Sequence, residues 1–234
     1  GSLLPQHQWG GWQARRNLLI IYGVRYDRFQ GPPADPNAPM PYSRSFRIPG
    51  KDFAPRLGLA WTITPKTVLR ASSGLFFEPS PTNLWYNSFV NSGNPRAYSA
   101  SIPSNSPFAP AFPNVIALQP GIVPPSADVT TVTPNYRNAY TINTSVQITR
   151  QLTADDALTV GYVNTGAREL TYLRNMNLVN PIGYLGDGRP IFGPQSAATR
   201  LYPQFNNITL QDVGAISEYN ALVVNYQHRW SRGY

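Results

Sequence analysis

The chain has 234 residues; only 13% are charged, against roughly 25% in an ordinary soluble domain, while 12% are aromatic, with 14 Tyr, 24 Pro and 18 Gly. This tyrosine-rich, turn-rich, charge-poor profile favours an all-β architecture and argues against a helical bundle. The net charge of +8 is dispersed, with no adjacent basic residues except Arg15-Arg16, so nucleic acid is not expected as a partner, and the lack of cysteine removes disulfides, thiolate chemistry and cysteine-held metals together.

Period-two alternation then recurs along the chain. "QWGGWQ" (Gln8 to Gln13) reads as the tail of a strand. Asn17 to Asp27 places Leu18, Ile20, Tyr22, Val24 and Tyr26 opposite Leu19, Ile21, Gly23, Arg25 and Asp27. Ala54 to Thr62 sets Leu57, Leu59 and Trp61 against Arg56, Gly58 and Ala60. Thr67 to Glu78 sets Leu69, Ala71, Ser73, Leu75 and Phe77 against Val68, Arg70, Ser72, Gly74 and Phe76. Ala139 to Arg150 is the cleanest, with Tyr140, Ile142, Thr144, Val146 and Ile148 on one side and Asn143, Ser145 and Gln147 on the other. Ala157 to Thr165 and Tyr219 to Trp230 complete the set. Strict alternation over this many segments predicts about six to seven strands.

The connections alternate too. "ARRN", "ITPKT" and "QLTADDA" are tight turns, whereas Arg28 to Phe53, Pro79 to Asn138 and Leu170 to Glu218 are long and rich in Pro, Gly, Asn and Ser, the composition of irregular loops. In an antiparallel up-and-down meander this puts every short turn at one end of the sheet and every long loop at the other. No run of about 18 apolar residues predicts a membrane helix, but membrane strands leave only a weak alternating signal. One apolar, aromatic-bounded face and one small or polar face describe the wall of a partial transmembrane β-barrel. Lipid suits the Leu, Ile, Tyr and Val row, and a lumen tolerates the other. Tyr26, Phe77, Tyr140 and Trp230 are expected in the interfacial girdle.

"NLLIIYGVRYDRF", "FAPRLGLAW" and "TVLRASSGLFFEP", followed by "NAYTINTSVQITRQL" and "SEYNALVVNYQHRW", resemble the barrel of TonB-dependent outer-membrane receptors, most closely the Oar-like group. The resemblance runs from Trp12 to Trp230. It implies a bacterial outer-membrane location, a plugged barrel of about 22 strands, and energised uptake of a bulky ligand through a plug domain and TonB. No plug and no TonB-box-like segment is found. Gly1-Ser2 reads as a vector scar or an arbitrary cut, and "SRGY" reads as a turn. Residues 1–234 are therefore expected to be a slice of a barrel domain, dependent on the full-length protein for function.

No catalytic constellation, cofactor motif or metal-ligand spacing is recognised. His7 and His228 are far apart, Asp155-Asp156 sits in a turn, and "GYLGDGRP" (Gly183 to Pro190) lacks phosphate-loop and calcium-loop spacing. The expected ligand surface is "NLWYNSF", where Trp85, Tyr86 and Phe89 alternate with Asn83 and Asn87; the competing reading is that these rings pack within the loop. Arg25, Arg56 and Arg70 are expected to face the lumen, contacting ligand or plug or neutralising neighbouring acids. The alternative to transport is a soluble β-rich carbohydrate-binding module with the aromatic loop as its platform.

Overall fold

The computed structural model describes residues 6–50, 52–94, 104–105, 109–113 and 126–229. In chain order it forms β1 (Gln6–Arg15), β2 (Leu18–Asp27), β3 (Asp52–Thr64), β4 (Thr67–Phe77), helix α1 (Thr82–Val90), β5 (Ala127–Val132), β6 (Tyr140–Gln151), β7 (Asp156–Asn175), the two-residue strands β8 (Gly183–Tyr184) and β9 (Pro190–Ile191), and β10 (Phe205–His228). One eight-stranded sheet has the order β1-β2-β3-β4-β6-β7-β10-β5, and β8 and β9 make a separate hairpin. The first seven of the eight are an antiparallel meander. Its tight turns all fall at one end and its long connections all at the other, as the alternation of loop lengths predicts.

The register carries the predicted faces across the sheet. Directly opposed residues in an antiparallel pair share a face. From Tyr22 the row runs through Leu57, Ser73 and Thr144; from Leu18 it runs through Trp61, Leu69, Ile148, Val160 and Val224. This face leaves Tyr22, Leu57, Trp61, Ile142, Val146, Ile148, Tyr162, Leu222, Val224 and Tyr226 exposed. In water so continuous an apolar surface is unfavourable; in a bilayer it is the lipid-facing side of a barrel wall. The other face carries Gly23, Gly58, Gly74 and Gly161 with Ser72, Asn143, Ser145 and Gln147. On β2 the apolar row reaches Tyr26, but on β10 it turns polar at Asn220 and Glu218, although Asn220 lies on the loop side of Val224. The band drifts toward the turn end from strand to strand, as it must when tilted strands cross a horizontal slab of lipid.

Two stretches read as irregular loop contain regular structure. β7 and β10 have 20 and 24 residues, about twice the 9–11 that span a bilayer, and they take up both ends of the connection from Leu170 to Glu218. They bend where Glu169 takes φ 55° and Gly214 takes φ 129°, at register shifts between Val213, Ala215 and Ser217. Each bulge re-phases the side chains, which hides the strands from a period-two reading. Within Pro79 to Asn138 lie α1 and β5, and β5 adds to the outer half of β10 in parallel, from Phe205↔Ala127 to Gln211↔Val132. Trp230, the remaining girdle residue expected from the sequence, and the "SRGY" turn lie outside the described residues.

The buried core sits in this cap, not in the wall. One cluster joins Met40, Ala127, Val129, Phe205 and Ile208; a second joins Leu84, Trp85, Val132 and Tyr136. Asn177, fully buried, donates to the carbonyls of Tyr202, Phe205 and Asn206 and accepts from the Tyr202 amide, tying the connection before β10 to its first turn.

Two adjacent substitutions test the faces. Val146→Arg, on the apolar row of β6, is expected to destabilise the intact protein in a bilayer by about 2–4 kcal/mol, whereas Gln147→Arg on the opposite face is tolerated. Urea midpoints of the heat-modifiable folded band measure both; equal midpoints would refute the assignment.

Candidate functional site

The outer end of the sheet concentrates the groups able to contact something other than lipid. Helix α1 forms over "TNLWYNSFV" after Pro81, whose φ of −59° suits a helix start, and ends at Asn91, whose amide donates to the Asn87 carbonyl. It buries Leu84, Trp85 and Ser88. The Trp85 ring meets Tyr136 edge-on at 5.0 Å and Phe46 at 5.4 Å, the tilted geometry that aromatic quadrupoles favour. From β10, Gln211 donates to the Leu84 carbonyl and the Ser88 hydroxyl, pinning the helix to the sheet. Burial pushes the Tyr136 phenol above its ordinary pKa, so it remains neutral in the cap.

The ligand surface expected from "NLWYNSF" is therefore divided by the helix. Trp85, at 3% exposure, is core, and the loop-packing reading holds for it. Tyr86 and Phe89 are exposed at 63% and 49%. Asn83 is exposed beside them at helical spacing, and Asn87 is half-buried one turn on. A face of two rings and two amides remains on the outer surface. The sequence reading missed the helix because Pro, Asn and Ser dominate its flanks.

Below the cap, the three arginines singled out from the sequence share one face of the wall by register: Arg25 opposes Ala54, Arg56 opposes Gly23 and Gly74, and Arg70 opposes Ala60 and Gln147. Arg25 pairs with Asp27 at 2.8 Å. The Arg56 guanidinium lies 4.0 Å from the centroid of Phe76 and 5.6 Å from that of Trp9, a cation–π sandwich. Its Nε is buried without a hydrogen-bond partner among the described residues. A Cβ on Gly74 would come within 3.0 Å of Arg56 Cγ, so the glycine makes room for this side chain. Arg70 is exposed.

Two rim features complete the inventory. At the outer rim a cavity of about 740 Å³ is lined by Tyr26, Phe77 and Tyr140 together with Arg28, Arg47 and Arg137. Its acids are engaged, since Asn138 donates to Asp52 and Arg137 pairs with Glu169 at 3.1 Å. At the turn end, Asp156 accepts from Thr153 and Tyr226 and lies 2.7 Å from His228 Nδ1. Seventy-two residues separate this histidine from its carboxylate, which is why the sequence alone gave His228 no acidic neighbour. "GYLGDGRP" forms the β8–β9 hairpin with an Asp187–Arg189 pair. Among the described residues no group of three His, Asp or Glu is placed to hold a metal.

The packing makes a separable forecast for neighbouring rings. Trp85→Ala is expected to cost the cap about 3–5 kcal/mol, and Tyr86→Ala to stay within about 0.5 kcal/mol. Limited proteolysis of the outer loops in the intact, membrane-inserted protein reads the difference; equal cleavage rates would contradict the burial described.

Comparison with known proteins places this architecture. A family model described as "Outer membrane beta barrel domain" matches residues 11–234. No curated protein matches the chain. Among solved structures, the siderophore receptor PirA from Pseudomonas aeruginosa aligns at 12% identity and TM-score 0.45, covering 96% of this chain and 34% of that one. The ferric enterobactin receptor PfeA, in complex with BCV-L6, aligns at 10% identity and TM-score 0.45, covering 93% of this chain and 24% of that one. The chain thus spans about a third of the length of the first structure and about a quarter of the second.

Proposed function

The chain belongs to the outer membrane beta-barrel domain family of the bacterial outer membrane, and from that premise we propose that it is a segment of the barrel of a TonB-dependent receptor, working in energised uptake of a bulky ligand. The carrying observation is the combination of an open wall and a folded outer cap. Seven meander strands end at β1 on one side, and on the other at the membrane half of β10, which has no further strand paired to it among the described residues. Backbone groups in lipid must be paired, so further strands are needed to close the wall. A wide barrel leaves a lumen, and the glycine-rich and polar inner face suits one filled by a plug. The resemblance of the strand sequences to Oar-like receptors supports this reading and, within it, the Oar-like subgroup.

In this role Arg25, Arg56 and Arg70 face the lumen and meet a plug or passing ligand. The rings of Phe76 and Trp9 hold the Arg56 guanidinium in place for such a contact. Tyr86, Phe89, Asn83 and Asn87 form a ligand-contacting face on the cap, where aromatic rings stack on amphipathic molecules and amides fix their orientation. The reading is transport, not catalysis. A soluble carbohydrate-binding module is not favoured, because it would expose the whole apolar face of the wall to water.

The test is association of the purified intact protein with the purified periplasmic domain of TonB, measured by calorimetry in detergent. Binding that strengthens when ligand-rich culture supernatant is added is the expected result. No binding in either condition would overturn the TonB-dependent reading and leave the barrel assignment untouched.

A further inference from the structure

Helix α1 is held from beneath and left unengaged on its outer side. Beneath, Leu84 and Trp85 pack with Val132, Tyr136 and Phe46, and Gln211 donates to the Leu84 carbonyl and the Ser88 hydroxyl. The Thr130 amide of β5 donates to the Asn91 carbonyl, and the Met40 amide to that of Ser92, so the helix end is fixed as well. On the outer side Asn83, Tyr86 and Phe89 follow one another at three-residue spacing, with Asn87 four residues beyond Asn83, and neighbours at these spacings share a face. Among the described residues neither side-chain amide makes a hydrogen bond, and nor does the Tyr86 hydroxyl.

The face is also uncharged. From Pro79 to Asn94 the chain has no Asp, Glu, Lys or Arg. Charges on the segments packed beneath are committed or turned elsewhere. Arg174 pairs with Asp212, Asp128 accepts from Asn206 and Asn207, Arg44 donates to the Ala38 carbonyl, and Arg47 lines the outer-rim cavity. An anionic ligand calls for guanidinium or ammonium donors and a cationic one for carboxylates; α1 carries neither. Its two exposed rings stand about 5–6 Å apart at Cβ with free amides beside them. They suit a molecule with C–H groups to lie on the negative ring faces, and with hydroxyls that donate and accept as an amide does. Sugar rings have both.

We infer that the ligand taken at this face is a neutral linear oligosaccharide, with successive sugar rings stacked on Tyr86 and Phe89 and their hydroxyls bonded by Asn83 and Asn87. The inference rests on the reading of α1 as the ligand-contacting face of a receptor and gives that ligand a chemical class. Rigidity is what such a ligand requires. Every hydroxyl that binds gives up a hydrogen bond to water, so the net gain per contact is small. A platform already ordered by Trp85 and Gln211 keeps that gain, because little further freedom is lost on binding.

The experiment is calorimetry of the intact protein in lauryldimethylamine oxide, a detergent that carries no sugar. The probes are the neutral hexasaccharides of the cello, manno, xylo and malto series at millimolar concentration, with hexagalacturonate as the anionic counterpart. At least one neutral hexasaccharide is expected to bind, and hexagalacturonate at least about tenfold more weakly. The double change Tyr86→Ala/Phe89→Ala is expected to weaken binding by at least about tenfold. Tyr86→Phe keeps it, and Tyr184→Ala, at an exposed ring of the β8–β9 hairpin, leaves it unchanged. Binding of none of the neutral probes, or equal binding of hexagalacturonate, would overturn the proposal. Unchanged affinity in a folded double variant would refute the assignment to these two rings. TonB takes no part in the measurement. A protein that binds TonB but no saccharide fails here alone, and one that binds saccharide but not TonB loses only the TonB-dependent reading.

Discussion

Everything in this wall depends on satisfying the backbone in a medium that offers no hydrogen bonds. An amide left unpaired in hydrocarbon costs several kcal/mol, so the chain has to commit each strand to a neighbour along its full membrane depth. Pairing fixes register, and register fixes which side chains meet lipid. The continuous rows from β2 to β10, apolar on one face and small or polar on the other, are the consequence. Side chains then refine what the backbone imposes: Ser72 with Ser145, Ser73 with Thr144 and Thr149 with Thr159 bond across strands.

Outside the membrane the same chain is under a different rule. Water can solvate loose backbone there, so order must come from apolar burial. The two cap clusters supply it, gathering Met40, Leu84, Trp85, Val129, Tyr136, Phe205 and Ile208 from segments far apart in sequence. β7 and β10 connect the two regimes. Their inner halves read as membrane strands and their outer halves as the floor of a small globular unit, with the Glu169 and Gly214 conformations marking the change.

How much of this could be read beforehand follows from that division. Membrane strands were legible because lipid on one side enforces strict alternation, and the tight turns between them left their boundaries sharp, as at "ITPKT". The cap was not, because its order is set by long-range packing. β5 pairs with residues nearly eighty positions away, α1 is a nine-residue helix inside a proline-rich stretch, and bulges broke the pattern in β7 and β10. Of the ligand residues read from "NLWYNSF", position along the helix decided the fate: Trp85 turns inward, while Tyr86 and Phe89 remain outside. The shared face of Arg25, Arg56 and Arg70 was legible from parity; the rings clasping Arg56 were not.

The placement of β5 has a consequence for assembly. It occupies the free edge of β10 only from Phe205 to Gln211, leaving the membrane half of that edge open. A neighbouring strand zipping up β10 from the turn end can advance no farther than Asp212 before it meets β5. The cap thus serves as a gauge for the wall beneath it. It sets how high the next strand climbs, because recruitment at this edge stops where the outer part of β10 is already paired.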